Sequence, residues 1–276
     1  MLDLEGRLID DAVRSVGLYL LDMDGTLYLG DEIFPFTIPF LDSLKRHGRK
    51  YLFMTNNSSK SVDSYIEKLA RLGIDSGRDE FMTSSQATEY YLNLHHKYDK
   101  IYVMGTESLK EEFRQNGLDV TDVYDEDVTC IVSGFDTELT FEKLDDVSKL
   151  LTLKPDIPYI ATNPDLVCPT EYGYVPDCGS VSEMIYNAVK RRPVFIGKPA
   201  PLMEQLAMKK LGFTPDRTAV IGDRIYTDIK SGLNAGITAF LVMSGETTRE
   251  ILDASPDKPT FVLNDISAIT SVLEAM

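Results

Sequence analysis

The sequence predicts an α/β fold, a doubly wound parallel sheet interrupted by an inserted second α/β layer. Three observations predict it. Short apolar runs of strand type alternate with longer runs whose apolar residues recur at helical spacing. Several of the short runs end abruptly in polar residues, as strands do where they meet a site. The intervals between those polar ends are short except for one of 143 residues, between Thr55 and Lys198. Each β-then-α step is a crossover, and crossovers call for a parallel sheet.

The first strand is the apolar run from Leu18 to Leu21, which delivers Asp22 and Asp24, two positions apart, followed by Gly25 and Thr26. Residues i and i+2 of a strand point the same way, so both carboxylates can face one pocket. Like charges that close are costly unless a cation or a reacting group lies between them. Taken alone, the pair reads equally as an Asp turn or a helix cap on a solvated loop. Residues 27–36 form a short excursion with Gly30 and Pro35, and 40–47 a helix stopped by Gly48. The second strand ends in Thr55-Asn56-Asn57-Ser58, and 61–73 is a helix with Val62, Tyr65, Ile66, Leu69 and Leu72 on its apolar face.

The long interval has its own alternation: strands at 100–104, 128–132 and 158–161, and helices at 107–116, 141–151 and 180–190. After it, the apolar run 194–196 leads through Gly197 into Lys198-Pro199. A helix at 201–211 and a strand at 218–221 follow, ending in Gly222-Asp223-Arg224. Asp228 opens the helix 227–234, and 237–243 is a further strand.

Composition narrows the function. Hydrophobic residues make up 43% and charged residues 26% of the chain, ordinary for a soluble globular protein. The 28 basic against 44 acidic residues give a formal charge of −16, which argues against a nucleic-acid partner. Residues 1–15 carry acids throughout with no signal-like apolar core, and no run is long enough to span a bilayer. Three cysteines without CxxC or Cys/His metal spacing fit a reduced, cytoplasmic protein. His47, His95 and His96 lie in charge-rich helical stretches and read as surface residues.

Taken in order, Asp22-Met23-Asp24-Gly25-Thr26, Thr55-Asn56-Asn57-Ser58, Lys198-Pro199 and Gly222-Asp223-Arg224 with Asp228 resemble the four motifs of the haloacid dehalogenase superfamily. Asp22 to Thr55 spans 33 residues and Lys198 to Asp223 spans 25, room for one crossover each. The insertion therefore lies between the second and third motifs, as in the NagD-like or 4-nitrophenylphosphatase-like branch. Thr55–Ser59 and Ala161-Thr162-Asn163-Pro164-Asp165 are similar to that branch's hallmarks, whereas Phe34-Pro35-Phe36-Thr37 departs from its Pro-Gly turn.

The resemblance implies a discontinuous Rossmann-like core, 1–82 and 181–276, with a cap domain at 83–180. It implies a Mg²⁺-dependent phosphatase acting on a small phosphorylated metabolite: a sugar phosphate, a nucleotide or similar. Asp22 would be the nucleophile that becomes an aspartyl-phosphate, and Asp24 the acid and then the base. Asp22, Asp223 and the Asp24 carbonyl would hold the metal, with Asp228 behind them orienting a water or Lys198. Thr55, the Asn56 amide and Lys198 would bind the phosphoryl group. Asn163, Asp165 and Asp177 are candidate cap contacts to the leaving group. Each also reads structurally, as a turn for Asn163-Pro164-Asp165 or a helix start at Asp177–Ser180. A homodimer is suggested by the resemblance alone. Three competing readings remain. A dehalogenase needs neither Asp24 nor Asp223. The phosphomutases compared carry their cap where only 33 residues are available here. A non-catalytic, metal-holding regulatory protein on the same fold would have no use for a full set of turnover residues.

Overall fold

A computed structural model describes residues 1–170 and 172–276. They form two compact units: Met1–Thr55 with Ile66–Met82 and Lys198–Met276, and Asn56–Tyr65 with Thr83–Gly197. In chain order the chain begins α1 (Asp10–Ser15), β1 (Leu18–Leu21), α2 (Thr37–Arg46), β2 (Lys50–Thr55), α3 (Val62–Arg71), β3 (Phe81–Thr83) and α4 (Ser84–His95). It continues β4 (Lys100–Met104), α5 (Glu107–Gln115), β5 (Asp119–Thr121), β6 (Cys130–Ser133), α6 (Phe141–Leu153), β7 (Tyr159–Ala161), α7 (Cys178–Val189) and β8 (Val194–Phe195). It ends α8 (Leu202–Leu211), β9 (Thr218–Gly222), α9 (Lys230–Ala235), β10 (Thr238–Val242), α10 (Arg249–Ala254), β11 (Phe261–Leu263) and α11 (Ser267–Glu274).

The sheet of the first unit has the order β11-β10-β9-β1-β2-β3. Strand β1 pairs in parallel with both β9 and β2, and β10 with β9 and β11. The chain starts in the middle, winds outward to β3, and returns on the other side from β9. This is the doubly wound arrangement, and its switch point lies between β1 and β9. Both strands are buried along their whole length, which is why Leu18–Leu21 reads as an unbroken apolar run and not an alternating one. Tyr19 packs edge-on against Phe40 of α2 and Phe53 against Phe81, closing the layers on either side.

The second unit carries a parallel sheet in the order β8-β7-β6-β4-β5. Tyr102, Ile131, Val147, Leu150 and Ile185 build the core between that sheet and helices α6 and α7. An antiparallel hairpin, Val167–Thr170 with Gly173–Pro176, precedes α7. Threonine hydroxyls start three of the unit's helices: Thr83 accepts from the Gln86 amide, Thr106 from Leu109 and Thr140 from Lys143.

The expected insertion of 83–180 needs one correction. Helix α7 runs across position 180, and β8 pairs with β7. Residues 181–197 thus complete the second sheet instead of the first, and Asn56–Tyr65 joins them. The apolar run before Lys198 is therefore the last strand of the inserted unit. Elements the sequence reading does not assign are α1, β3, α4, β5, the hairpin, and everything after β10. Strand β3 has only three residues, too few for a period to register. Among the described residues, no helix is long and apolar enough to cross a membrane.

Candidate active site

Asp22 follows β1 and Asp223 follows β9, so both emerge at the carboxyl ends of the two strands flanking the switch point. Open α/β sheets bind ligands there, because the chain departs to opposite faces and leaves a crevice. The backbone fixes the approach: the Asp22 amide donates to the Ile221 carbonyl at 2.9 Å, extending the β1–β9 ladder by one residue.

Lys198 opens the return into the first unit and reaches both sides of the crevice. Its Nζ donates to Asp22 Oδ1 at 2.8 Å and to Asp228 Oδ1 at 2.5 Å. Its side chain is 3% exposed, whereas that of Asp22 keeps 17%. The lysine is sealed in, and the carboxylate beside it stays within reach of a substrate. Burial would lower the Lys198 ammonium, but the two carboxylates reverse this and hold it firmly charged. For Asp22, burial and then the Asp228 charge push the carboxyl well upward, against the pull of Lys198. One lysine does not balance this set of acids.

Asp223 carries the clearest sign of what would. Its Oδ2 accepts from the Glu246 amide at 2.6 Å, but its buried Oδ1 has no hydrogen-bond partner. Burial, then Asp228, pushes this carboxyl up to about 7. Oxygen atoms of Asp22, Asp223 and Asp228 lie within 4.8 Å of one another. An all-oxygen set with an orphaned oxygen suits a hard divalent cation, which would also reverse the mutual repulsion. The surrounding backbone is shaped for close approach. A Cβ on Gly245 would sit 2.0 Å from Asp223 Oδ2, and one on Gly25 would sit 2.3 Å from it. Gly25 additionally has φ +84°, where a side chain is strained. The Ser244 hydroxyl donates to the Gly25 carbonyl at 2.8 Å and ties the two loops together.

Asp228 does not start an ordinary helix. Residues Ile225–Ile229 form a π turn ahead of α9, closed by the Ile229 amide donating to the Arg224 carbonyl at 3.2 Å. Such one-turn widenings recur at functional sites. Here the turn points Asp228 back, so that Oδ2 accepts from the Arg224 amide at 3.2 Å while Oδ1 takes Lys198. Asp228 thus serves the lysine. The Arg224 guanidinium in turn pairs with Glu246 at 2.9 Å.

Asp24 lies at the outer side, its side chain 39% exposed, with Lys68 Nζ 4.0 Å from its Oδ2. Burial raises its carboxyl, and Lys68 and Arg224 partly offset this. Lys68 also lies 4.2 Å from the Tyr28 ring centroid, on the small hairpin Tyr28–Leu29/Glu32–Ile33. Thr55 ends β2, the strand beside β1.

The remaining sequence candidates sit in the second unit. The Asn56 side-chain amide donates to both oxygens of Asp165, at 3.1 and 3.2 Å. The Asn163 amide donates to the Asn56 carbonyl at 2.9 Å, and its Oδ1 accepts from the Asp165 backbone at 3.0 Å. Asn163 is fully buried, so its side chain holds the loop and is not an exposed donor. Asp177 caps α7 through the Cys178 amide and is also buried. The structure thus brings Asn56, Asn163 and Asp165 together and leaves Asp177 at a helix start. Sequence reasoning missed Gly245, Glu246 and Lys68. A signal for the first two was present, since Ser244-Gly245-Glu246 follows β10 at the same sheet edge as Asp22 and Asp223. Lys68 lies mid-helix, and no local pattern marks it.

Comparison with known proteins shows the family. The family model for haloacid dehalogenase-like hydrolases matches residues 19–119, and a second model of HAD-hydrolase-like proteins matches 195–269. An acid sugar phosphatase of Staphylococcus haemolyticus is 34% identical over 256 residues, covering 93% of this chain and 96% of the relative. The crystal structure of a 4-nitrophenylphosphatase from Thermotoga maritima superposes with a TM-score of 0.88 at 38% identity, over 94% of this chain and 98% of that one. A glycerol phosphate phosphatase from Mycobacterium tuberculosis, solved in complex with magnesium, gives a TM-score of 0.85 at 26% identity, over 94% of this chain and 78% of that one.

Proposed function

This chain belongs to the haloacid dehalogenase-like hydrolase family, and on that premise we propose that it is a phosphatase of small phosphate monoesters that works with Mg²⁺ through an aspartyl-phosphate on Asp22. The observation that carries the proposal is the bridge from Lys198 to Asp22 and Asp228, next to the orphaned Oδ1 of Asp223. A partly exposed carboxylate faces an ammonium on one side and, on the other, a set of carboxylate oxygens that includes the unpartnered Asp223 Oδ1.

Phosphoryl transfer asks a protein for positioning and for charge to set against the phosphoryl oxygens. Lys198 supplies one positive charge and fixes the Asp22 carboxylate. Asp22, Asp223 and the Asp24 carbonyl would hold Mg²⁺, which would supply the positive charge that one lysine leaves unmet. Asp22 Oδ attacks phosphorus, and the P–O bond to the leaving group breaks. Asp24, whose carboxyl burial raises, delivers the proton to that leaving oxygen. It then takes a proton from the water that hydrolyses the aspartyl-phosphate, returning both residues to their starting state. Thr55, with the Asn56 amide that follows it directly in the chain, holds phosphoryl oxygens.

Sugar phosphates are the substrate class we favour, on the strength of the acid sugar phosphatase relative. Asn163, Asp165 and Asp177 bear on leaving-group choice through the shape of the loops they hold. A cytoplasmic setting is part of the reading, and the free thiols of Cys130, Cys168 and Cys178 are compatible with it. The test is phosphate release by the pure chain from a panel of sugar phosphates, nucleoside monophosphates and an aryl phosphate. Hydrolysis abolished by EDTA and restored by Mg²⁺ is expected. No turnover of any ester at saturating Mg²⁺ would return the chain to the non-catalytic regulatory reading.

A further inference from the structure

A second group of metal-binding residue types lies in the other unit, at the amino ends of its strands. Helix α4 ends at His95, and His96, which caps it, turns through three residues to Asp99 just before β4. Cys130 opens β6, the neighbouring parallel strand, opposite Ile101. The turn is pinned at both ends: the His96 amide donates to Leu92 at 2.6 Å and the Asp99 amide to the His96 carbonyl at 3.0 Å. His96 Nδ1 and Asp99 Oδ2 are 2.7 Å apart, and Asp99 Oδ1 accepts from the Thr129 hydroxyl at 2.9 Å. One ligand atom each from His96, Asp99 and Cys130 lies within 4.8 Å of the other two.

We infer that His96, Asp99 and Cys130 form a binding site for one thiophilic divalent cation of the Zn²⁺ class, separate from the carboxylate site of the first unit. Imidazole, carboxylate and thiolate together are a borderline-soft donor set, which Mg²⁺ and Ca²⁺ do not use and Zn²⁺ does. Tetrahedral bonds of about 2.0–2.3 Å hold ligand atoms about 3.3–3.8 Å apart, so the observed grouping closes on an ion by side-chain adjustments of about 1 Å. The charge also balances: one carboxylate and one thiolate neutralise a divalent cation beside a neutral imidazole.

The burial is graded in a way a bound ion can use. Cys130 is fully buried, whereas the side chains of His96 and Asp99 keep 15% and 30% exposure. The thiol therefore forms the floor of the site, and the other two residues form its solvent-facing rim. Binding of the cation would displace the Cys130 thiol proton. Three protein ligands leave a fourth position for water, the pattern of an exchangeable site. The amino ends of β4 and β6 lie at the edge opposite Ser133 and Ala161, which lead to the Asn163 loop. An ion here ties the end of α4 to the sheet and stabilises the second unit.

The test is a Co²⁺ titration of the chelator-stripped full chain in excess Mg²⁺, which keeps the oxygen site of the first unit filled. One equivalent of Co²⁺ should give a thiolate-to-cobalt charge-transfer band and tetrahedral visible bands, both bleached by one equivalent of Zn²⁺. An oxygen-only site gives neither. His96→Gln, which alters a partly exposed side chain, should weaken Co²⁺ binding by at least about tenfold. Cys130→Ser should remove the charge-transfer band, with circular dichroism confirming the fold. Cys168→Ser should leave both unchanged. The inference is overturned if no charge-transfer band appears at saturating Co²⁺. It is equally overturned if His96→Gln binds with wild-type affinity, or if the band follows Cys168. In each of those cases the His96–Asp99 hydrogen bond only closes a turn, and Cys130 is core filling.

Discussion

Glu204 on α8 is a buried acid that the proposed chemistry does not use, and its replacement should change how stability depends on pH. It is fully buried, and neither carboxylate oxygen has a donor in hydrogen-bonding geometry. The Ser231 hydroxyl faces it but donates to the Asp228 carbonyl at 2.9 Å. Burial pushes the Glu204 carboxyl from 4.5 up to about 7, against a smaller pull from Ser231 and Lys198. Below pH 4.5 the folded and unfolded chains both hold the proton, and the group contributes nothing to the pH dependence. Between 4.5 and about 7 the folded chain keeps a proton that the unfolded chain has released, so stability falls as pH rises. Above that window the loss is complete. A rise of about 2.5 in pKa at about 1.36 kcal/mol each gives about 3 kcal/mol. Glu204→Gln has no proton to keep. Relative to wild type, the variant should gain about 3 kcal/mol between pH 4.5 and pH 8, whatever the constant cost of burying an unpaired amide. The assay is urea unfolding of both proteins across that range in EDTA, following the transition of the first unit. Taking the difference between the two proteins cancels the titration of Asp22 and Asp223, which both contain. Parallel pH profiles would show that Glu204 is already ionised in the fold, and the reasoning from burial would fail.

Asp22→Asn should retain the fold and drop phosphate release below about a thousandth of wild type, because an amide oxygen cannot form the acyl-phosphate; activity within tenfold, in a preparation free of other phosphatases, would remove Asp22 as nucleophile. Asp24→Asn should cost roughly 10²–10⁴ in rate on alkyl phosphates and less on an aryl phosphate in the phosphorylation step, since nitrophenolate scarcely needs an acid. Equal losses on the two ester types in single-turnover measurements would contradict that role. Gly245→Ala places a Cβ 2.0 Å from Asp223 Oδ2 and so displaces the carboxylate. The Mg²⁺ concentration for half-maximal activity should rise roughly 10–100-fold, with full or partial rescue at high Mg²⁺. An unchanged Mg²⁺ requirement would mean that Asp223 does not hold the metal.

The parts of the site that were legible in the sequence are those encoded over a few residues. Asp22 and Asp24 follow one strand and Asp223 follows another. A strand followed by acids and glycine is a local pattern, because the turn that exposes the acids needs the glycine at once. Lys198 was legible only through resemblance. Its strand was assigned to the first sheet, since nothing in Val194-Phe195-Ile196 says which sheet will accept it, and pairing with β7 is a contact across more than thirty residues. The pairing of the Asn56 side chain with Asp165 spans 109 residues, and no local pattern in either segment announces it. Glu204 sits in the run 201–211, which reads simply as a helix, and nothing local marks the glutamate as buried. Helix ends were legible where threonine caps them, as at Thr106 and Thr140, because a cap is satisfied within three residues.

The π turn at Ile225–Ile229 makes the catalytic crevice depend on chain length as well as on residue identity. A π turn is an α-helix holding one residue more than its hydrogen bonds require, so the segment can lose a residue and remain helical. Each residue of a helix advances the side chains by about 100° around its axis. A one-residue deletion between Arg224 and Asp228 would therefore keep every acid and the lysine while swinging the Asp228 carboxylate away from Lys198. Such a chain would pass any inspection for motif residues and still lack the bridge. For insertions and deletions, this segment is a counting device: its register has to be right before its chemistry can be.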